Sequence, residues 1–515
     1  MRTGAASDGS RGPAPGSAPR RGPGAAGDAG AGSRPRIWNP AETMPRDELK
    51  ALQLNRLRTS LARILRHQPV VAERLAAAGI TRSGDITSLD DLGRLPFTSK
   101  ADLRASYPFG LLAVPREQVV RLHASSGTHG KPTVVGYTRA DLDTWTDLMA
   151  RCMTMAGVRP GMMIHNANGY GLFTGGLGFH QGGERIGATV VPVSGGFTAR
   201  QAMLLRDLGA QVLVSTPSYA LAIAQALSAG DSRTGDGSTG DSNTGDGNTG
   251  DSNTGDSNTG DSSISSAGDG GGGDDSAGTA GGRLPDGGNG LRLELGLFGG
   301  EPWTEGMRAE IERALGLTAI NFYGLSEMCG PGVAAECLTT RAGLHVQEDH
   351  FLVEVIDPAD GTAVAPGAEG ELVFTTLTKE ALPLLRYRTG DIGRVTTEPC
   401  ACGRTTARLT GLGGRRDDML IIRGVNVFPS QVEHVLLTAG GVTPHYRLIA
   451  ERDGPLDELT VECEPAGPGA DHEPLRARLE HELLQRMGVR IRVTVAPPGT
   501  IPRSEGKAVR VLDRR

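Results

Sequence analysis

Residues Gln211–Leu221 read QVLVSTPSYAL. The run Gln211–Ser215 suits a buried strand, Thr216 offers a hydroxyl N-cap, and Pro217 has the fixed φ of a first helical position. The stretch therefore predicts a strand that turns at once into a helix, the repeating unit of α/β folds. Toward the N-terminus, Leu49, Leu52, Leu57, Leu61 and Leu65 recur at near-helical spacing behind Pro45, which predicts a helix with Pro45 in its first turn, covering a sheet. Toward the C-terminus, Phe351–Ile356 and Glu371–Phe374 predict further strands. The expected fold class is α/β.

Two segments break this pattern. Residues 1–36 are rich in Gly, Ala, Pro and Arg and lack apolar periodicity, so a disordered tail is expected. In residues 228–290 Asp recurs every five residues from Asp231 to Asp261, and a Gly-rich stretch follows. That spacing fits neither the EF-hand nor the nine-residue calcium repeat, which leaves a solvated insert between an amphipathic Tyr219–Leu227 segment and the apolar Leu291–Phe298 segment.

The insert also distorts the charge balance. The chain of 515 residues has a formal net charge of −6, but residues 231–290 alone hold eleven Asp against two Arg. With the Arg-rich first 36 residues also set aside, the remainder is near neutral, which excludes a global basic field for nucleic acid or a membrane surface. No apolar run reaches the eighteen or so residues of a membrane span, and the N-terminus lacks a secretory apolar core, so a cytoplasmic location is expected. Six cysteines suit a reducing compartment better than a disulfide framework.

Three distant segments carry chemistry. In SSGTHGKPT (Ser125–Thr133), Ser125, Ser126 and Thr128 supply hydroxyls, Gly127 and Gly130 admit close backbone approach to an anion, and Lys131 adds a mobile charge. Pro132 and the strand-like VVGY that follows distinguish this loop from a Walker loop, in which the lysine precedes Ser or Thr at a helix start. In YRTGD (Tyr387–Asp391) an aspartate after a tight turn suits a ribose diol. In PRSEGK (Pro502–Lys507) a lone lysine in a Gly-rich tail suits a developing negative charge. Read singly, each segment is equally an ordinary turn, a surface charge cluster or an exposed lysine.

With these segments, HASSGTHGKPTVVGYT (His123–Thr138), GYGLFTGGLGFH (Gly169–His180), STPSYAL (Ser215–Leu221), GEPWTEGMR (Gly300–Arg308), YGLSE (Tyr323–Glu327), DDMLIIRGVNVFPSQVE (Asp417–Glu433) and IPRSEGKAVRV (Ile501–Val511) make the chain resemble the adenylate-forming acyl-CoA ligases, and most closely the phenylacetate–CoA ligase group, along nearly all of residues 37–515. The resemblance implies a large N-terminal AMP-binding domain (37–416, carrying the insert) and a small mobile C-terminal domain (417–515) hinged near Asp417. It implies ATP, magnesium and coenzyme A as cofactors. It implies that Gly300, Glu301 and Pro302 border the adenine, that Tyr323 and Gly324 lie under the base, and that Ser326 is near the α-phosphate. Glu327 would hold magnesium with Thr128, Asp391 the ribose hydroxyls and Arg415 the ribose–phosphate edge. Lys507 would act on the carboxylate and α-phosphate, and Gly424 would border the pantetheine tunnel. One departure stands out: His129 occupies a position where the group commonly carries a second Thr, replacing a hydroxyl with a titratable ring.

A second constellation is Cys337, His345, Cys400 and Cys402. Three thiolates and an imidazole fit a tetrahedral structural zinc, as in some members of the resembled group; unconnected buried cysteines are the alternative. Tyr137, Tyr170 and Phe173 lie in or beside strings that face the acyl pocket in the family, and singly each reads equally as a core residue. The activity implied is ATP-dependent formation of phenylacetyl-CoA through an acyl-adenylate, in aromatic acid catabolism. A ligase for another aryl acid, benzoate-type or hydroxylated, and a catalytically weak zinc-bearing scaffold are the alternatives. The expected partner is a small aryl acid, with a homodimer left open.

Overall fold

Val212–Ser215 is a strand and Pro217–Thr234 a helix, as the opening stretch predicts. The structure, a computed structural model, describes residues 36–125, 132–234, 291–415, 419–423, 425–453, 456–467, 472–504 and 508–515. The expected tail before Arg36 and residues 235–290 of the insert lie outside the described residues. The helix entering the insert differs from expectation in two ways. It continues to Thr234, so the ordered element extends into the segment read as insert. Its first turns are not amphipathic: Tyr219, Ala220, Leu221, Ala222, Ile223 and Ala224 are all buried, because the helix is wedged between two neighbouring helices, Thr198–Leu208 and Glu305–Leu315.

The eleven-stranded sheet runs, edge to edge, Phe351–Ile356, Gly370–Thr376, Tyr387–Thr396, Arg408–Arg415, Leu344–Val346, Gly330–Glu336, Thr318–Leu325, Leu295–Gly299, Val212–Ser215, Met163–Asn166 and Thr189–Val191. The last five are mutually parallel and the others pair antiparallel. Val212–Ser215, in the middle of the parallel half, is buried along its whole length because both of its faces are covered. Val212 and Val214 join one core with Trp145, Met149 and Phe179, while Leu213 joins the other with Leu205, Tyr219 and Ile311. The two-residue period of a strand thus divides one short run between two helical layers.

The helix Arg46–His67 forms as predicted, with Pro45 as its N-cap residue rather than within the first turn. Its buried stripe is Leu49, Gln53, Leu57, Ser60, Leu61 and Ile64; Leu52 and Leu65 flank it. The buried Gln53 amide is satisfied by donating to the Glu348 carbonyl (2.8 Å).

Residues 425–515 build a separate four-stranded sheet, ordered Arg492–Val495, Leu456–Pro465, Val442–Asp453 and Val511–Asp513, with the helices Pro429–Ala439 and His472–Met487. This sheet has its own apolar core, including Val432, Leu436, Leu448, Val461 and Leu479. No described helix is long and apolar enough to cross a membrane.

Candidate active site

Ligand sites in sheets of this kind form beyond the carboxyl ends of the parallel strands. Leu295–Gly299 ends at Gly300, Glu301 and Pro302; Thr318–Leu325 carries Tyr323 and Gly324 and ends at Ser326 and Glu327; Met163–Asn166 leads to the loop bearing Tyr170 and Phe173. Gly324 is required here, because a Cβ would lie 2.0 Å from the Gly330 carbonyl oxygen of the neighbouring strand. Ser125 ends the strand Arg121–Ser125, which pairs antiparallel with Thr133–Tyr137, Ser125 opposite Thr133. The connecting residues Ser126, Gly127, Thr128, His129, Gly130 and Lys131 lie outside the described residues, as do Asp417, Gly424 and Lys507.

Asp391 departs from its expected setting. It stands within the strand Tyr387–Thr396, at a bulge where the register jumps from Val373 opposite Arg388 to Glu371 opposite Ile392. Gly390 takes φ 77° there, Thr389 donates to the Leu372 carbonyl (2.8 Å), and the Asp391 amide donates to Thr389 Oγ1 (2.9 Å). The bulge aims the carboxylate at the strand-end cluster, where the Tyr323 hydroxyl donates to Asp391 Oδ2 (2.6 Å). Arg415 stands opposite Asp391 in the next strand. Asp391 and Tyr323, expected from segments far apart in the chain to serve one nucleotide, are thereby in contact, with Arg415 opposite Asp391 in register.

Ser326 is fixed from two sides: its carbonyl accepts from the Tyr137 hydroxyl (3.3 Å) and its own hydroxyl meets Thr174 Oγ1 (3.3 Å). The adjoining Glu327 is buried. Sequence reading missed Lys379, whose fully buried ammonium donates to the Met328 carbonyl (2.6 Å) and lies 3.9 Å from the centre of the Tyr137 ring. Burial pulls its pKa down to about 8 against the pull of Asp141, Cys329 and Glu327. Nothing in the local sequence distinguishes it from a surface lysine.

The three aromatic candidates occupy three environments. Tyr137 is sealed and stacks on Trp145 (centroids 5.4 Å). Tyr170 is partly buried, accepts from Asn166 Nδ2 (2.8 Å) and meets His180 Nδ1 (3.1 Å), and burial raises its pKa to about 12. Phe173 is 53% exposed. A cleft of about 530 Å³ lined by Asn39, Arg56, Asp143, Asp147, Arg185 and Asp349, among others, contains none of the motif residues.

At the opposite end of the sheet, Cys337, His345, Cys400 and Cys402 bring their ligand atoms within 4.8 Å of one another. Zinc bound tetrahedrally to sulfur at about 2.3 Å and nitrogen at about 2.0–2.1 Å requires sulfur–sulfur edges of roughly 3.8 Å and sulfur–nitrogen edges of roughly 3.5 Å. Cys337 Sγ lies 3.8 Å from Cys400 Sγ, and Cys402 Sγ lies 3.4 Å from His345 Nε2. His345 Nδ1 meets Thr406 Oγ1 (3.1 Å), leaving Nε2 for the cluster. The contact with Cys402 holds the Cys337 thiol far below its ordinary value and pushes the Cys402 thiol up. The donor set fits zinc.

Fold and site together define an α/β enzyme of nucleotide chemistry with a small C-terminal module. Residues 116–377 match the AMP-binding enzyme family and residues 424–515 the AMP-binding enzyme C-terminal domain. The phenylacetate–coenzyme A ligase of Thermus thermophilus is 46% identical over 92% of this chain and 98% of its own length, and that of Escherichia coli 45% identical over 93% and 97%. A crystal structure of 2-hydroxyisobutyryl-CoA ligase in the postadenylation state with 2-HIB-AMP has TM-score 0.77 and 28% identity, covering 93% of this chain and 92% of that one. The same ligase in its thioesterification state, at equal coverage, has TM-score 0.62. The chain belongs to the adenylate-forming AMP-binding enzymes, in their phenylacetate–CoA ligase group.

Proposed function

We propose that this chain joins phenylacetate to coenzyme A at the expense of ATP, first forming phenylacetyl-adenylate with release of pyrophosphate, then phenylacetyl-CoA with release of AMP. The observation that carries the reading is the Tyr323–Asp391 hydrogen bond, with Arg415 opposite in register, at the ends of the parallel strands. A carboxylate matches the vicinal hydroxyls of a ribose, and a tyrosine ring beside it offers a face to the base. Gly300, Glu301 and Pro302 border the same end from the adjacent strand. Ser126, Gly127, Thr128, Gly130 and Lys131 would cradle the phosphates. Glu327 would hold magnesium, which neutralises the like charges that meet when a carboxylate approaches a polyphosphate.

The greater likeness to the postadenylation state than to the thioesterification state of 2-hydroxyisobutyryl-CoA ligase, at equal coverage, supports reading the C-terminal module here as placed for the first half-reaction. In such an arrangement Lys507 would serve the acyl phosphate. Rotation near Asp417 would bring Gly424 to the pantetheine of coenzyme A, where the missing side chain admits the thiol arm.

Incubation with MgATP and phenylacetate, with and without coenzyme A, tests the reading across a dozen aryl acids. Acid-dependent pyrophosphate release, with thioester only when coenzyme A is added, is expected, and phenylacetate should be among the best acids by kcat/KM. Preference for a benzoate-type acid would move the substrate; silence with every acid would leave the scaffold reading. The Cys/His cluster is read as a structural zinc with no open coordination position for water, and metal analysis should find about one zinc per chain. Less than about a tenth would remove it.

A further inference from the structure

The tail that carries Lys507 is pinned on both sides of it. On the near side Arg503 pairs with Glu464 (2.7 Å) and reaches Gln225 Oε1 (3.2 Å) on the helix Pro217–Thr234 of the large sheet. On the far side Arg510 lies 3.5 Å from the buried carboxylate of Glu433 and over the Tyr446 ring (4.4 Å), and Thr304, the N-cap of the helix Glu305–Leu315 that follows the large sheet's strand Leu295–Gly299, donates to Glu433 (2.9 Å). The decisive contact lies between them. Glu301 Oε2 accepts from the backbone amide of Ala508 (2.8 Å), the residue immediately after Lys507. Its other oxygen accepts from the amide (2.8 Å) and hydroxyl of Ser218, in the first turn of the helix Pro217–Thr234.

We propose that Glu301 is a positioning residue for adenylation: its carboxylate spans from Ser218, in the helix after Ser215, to the Ala508 amide and so anchors the tail at the residue next to Lys507. The inference rests on the reading of Lys507 given above and goes beyond the adenine-bordering role of the Gly300–Pro302 loop. Both oxygens are needed, because each accepts from a different element, and a carboxylate accepts on both whereas an amide accepts on one. The contact also joins the two modules in one pose only. Ala508 belongs to the C-terminal module and Glu301 to the large sheet, so any rotation that withdraws the tail breaks it. Glu301 therefore acts on the first half-reaction through Lys507 and not on the second.

Glu301→Gln turns an N–H group toward either Ser218 or Ala508, both donors, and should lower acid-dependent pyrophosphate release about tenfold to a hundredfold. The fall should exceed by at least tenfold any fall in thioester formation from supplied phenylacetyl-adenylate. A role confined to the adenine would move both half-reactions alike, since the adenylate carries the same base. In a Lys507→Ala background the same change should cost less than about twofold, as expected when one residue acts through the other. Amide hydrogen exchange of a peptide spanning 508–515 should quicken in Glu301→Gln. Equal loss in both half-reactions, additive loss with Lys507→Ala, or unchanged exchange would each overturn the proposal. If the wild-type chain adenylates no acid, the functional reading fails, and the exchange arm still decides whether Glu301 holds the tail.

Discussion

At one end of the strands Tyr387–Thr396 and Arg408–Arg415 stand Asp391 and Arg415; beyond the other end stand Cys400 and Cys402. Gly330–Glu336 likewise runs from beside Ser326 and Glu327 to Cys337. The same strands thus end in the proposed nucleotide site on one side and a thiol cluster on the other. The thiol end is closed: its four ligand residues are buried or nearly so and contact one another. The nucleotide end is loose in the ways a binding site needs, with a bulge, a glycine at positive φ and polar groups half in solvent. A ligand clamp at one end can hold two strands in register while the other end keeps an irregular backbone, and Asp391 meets Arg415 only in that register.

The contrast is broken most severely at the nucleotide end. A preorganised charge at a developing anion typically contributes about a hundredfold to a thousandfold in rate. Lys507→Ala should lose at least that much in pyrophosphate release, yet convert supplied phenylacetyl-adenylate and coenzyme A to thioester at near wild-type rate. Normal adenylation by the mutant would remove the lysine from the mechanism. Gly424→Leu should show the reverse split: acid-dependent pyrophosphate release persists while thioester formation falls by roughly tenfold or more, since a side chain would fill the space of the thiol arm. Equal loss of both half-reactions would contradict a two-pose C-terminal module.

The thiol end should answer in stability rather than chemistry. Cys402→Ser, or exhaustive chelation, removes one ligand or any bound ion from a cluster that joins three chain segments. A cost on the order of 3 kcal/mol, roughly 3–5 °C in melting temperature for a chain of this size, is expected for a structural site. Adenylation at low temperature should fall less than tenfold, through loosened register between Asp391 and Arg415. A melting temperature indifferent to chelation, in protein shown to contain zinc, would detach the cluster from the sheet.

How much of this was legible in the sequence follows the same division. The central parallel strand Val212–Ser215 announced itself, because a strand covered on both faces is apolar along most of its length and Thr216-Pro217 marks the helix start. In the antiparallel half Phe351–Ile356 and Glu371–Phe374 were legible as strands, but the order that places Leu344–Val346 between Arg408–Arg415 and Gly330–Glu336 is set by tertiary pairing, which no local pattern encodes. Asp391 was singled out from the sequence but read as following a turn, since a bulge is invisible until its partner strand is known. Lys379 and the Glu301–Ala508 contact were not legible, because a buried lysine and a side-chain-to-backbone bond leave no spacing signature.

The smallest effect is expected where the chain is longest and least patterned. The insert was read as beginning at residue 228, but the helix continues to Thr234, and Leu227 belongs to the core beneath it. A deletion should therefore spare that helix and replace only residues 235–289 with a short Gly/Ser linker. The composition of those residues offers no apolar face to lay against the sheet. Loop-closure cost changes by about 0.6 kcal/mol per doubling of length, so shortening about eightfold alters it by about 2 kcal/mol, in the stabilising direction if the linker spans the gap without strain. Turnover should stay within about twofold of wild type, and the melting temperature should hold or rise slightly. A loss above about tenfold in folded protein would mean that the insert touches the nucleotide end or a partner, and the division between a functional strand end and a passive surface expansion would have to be redrawn.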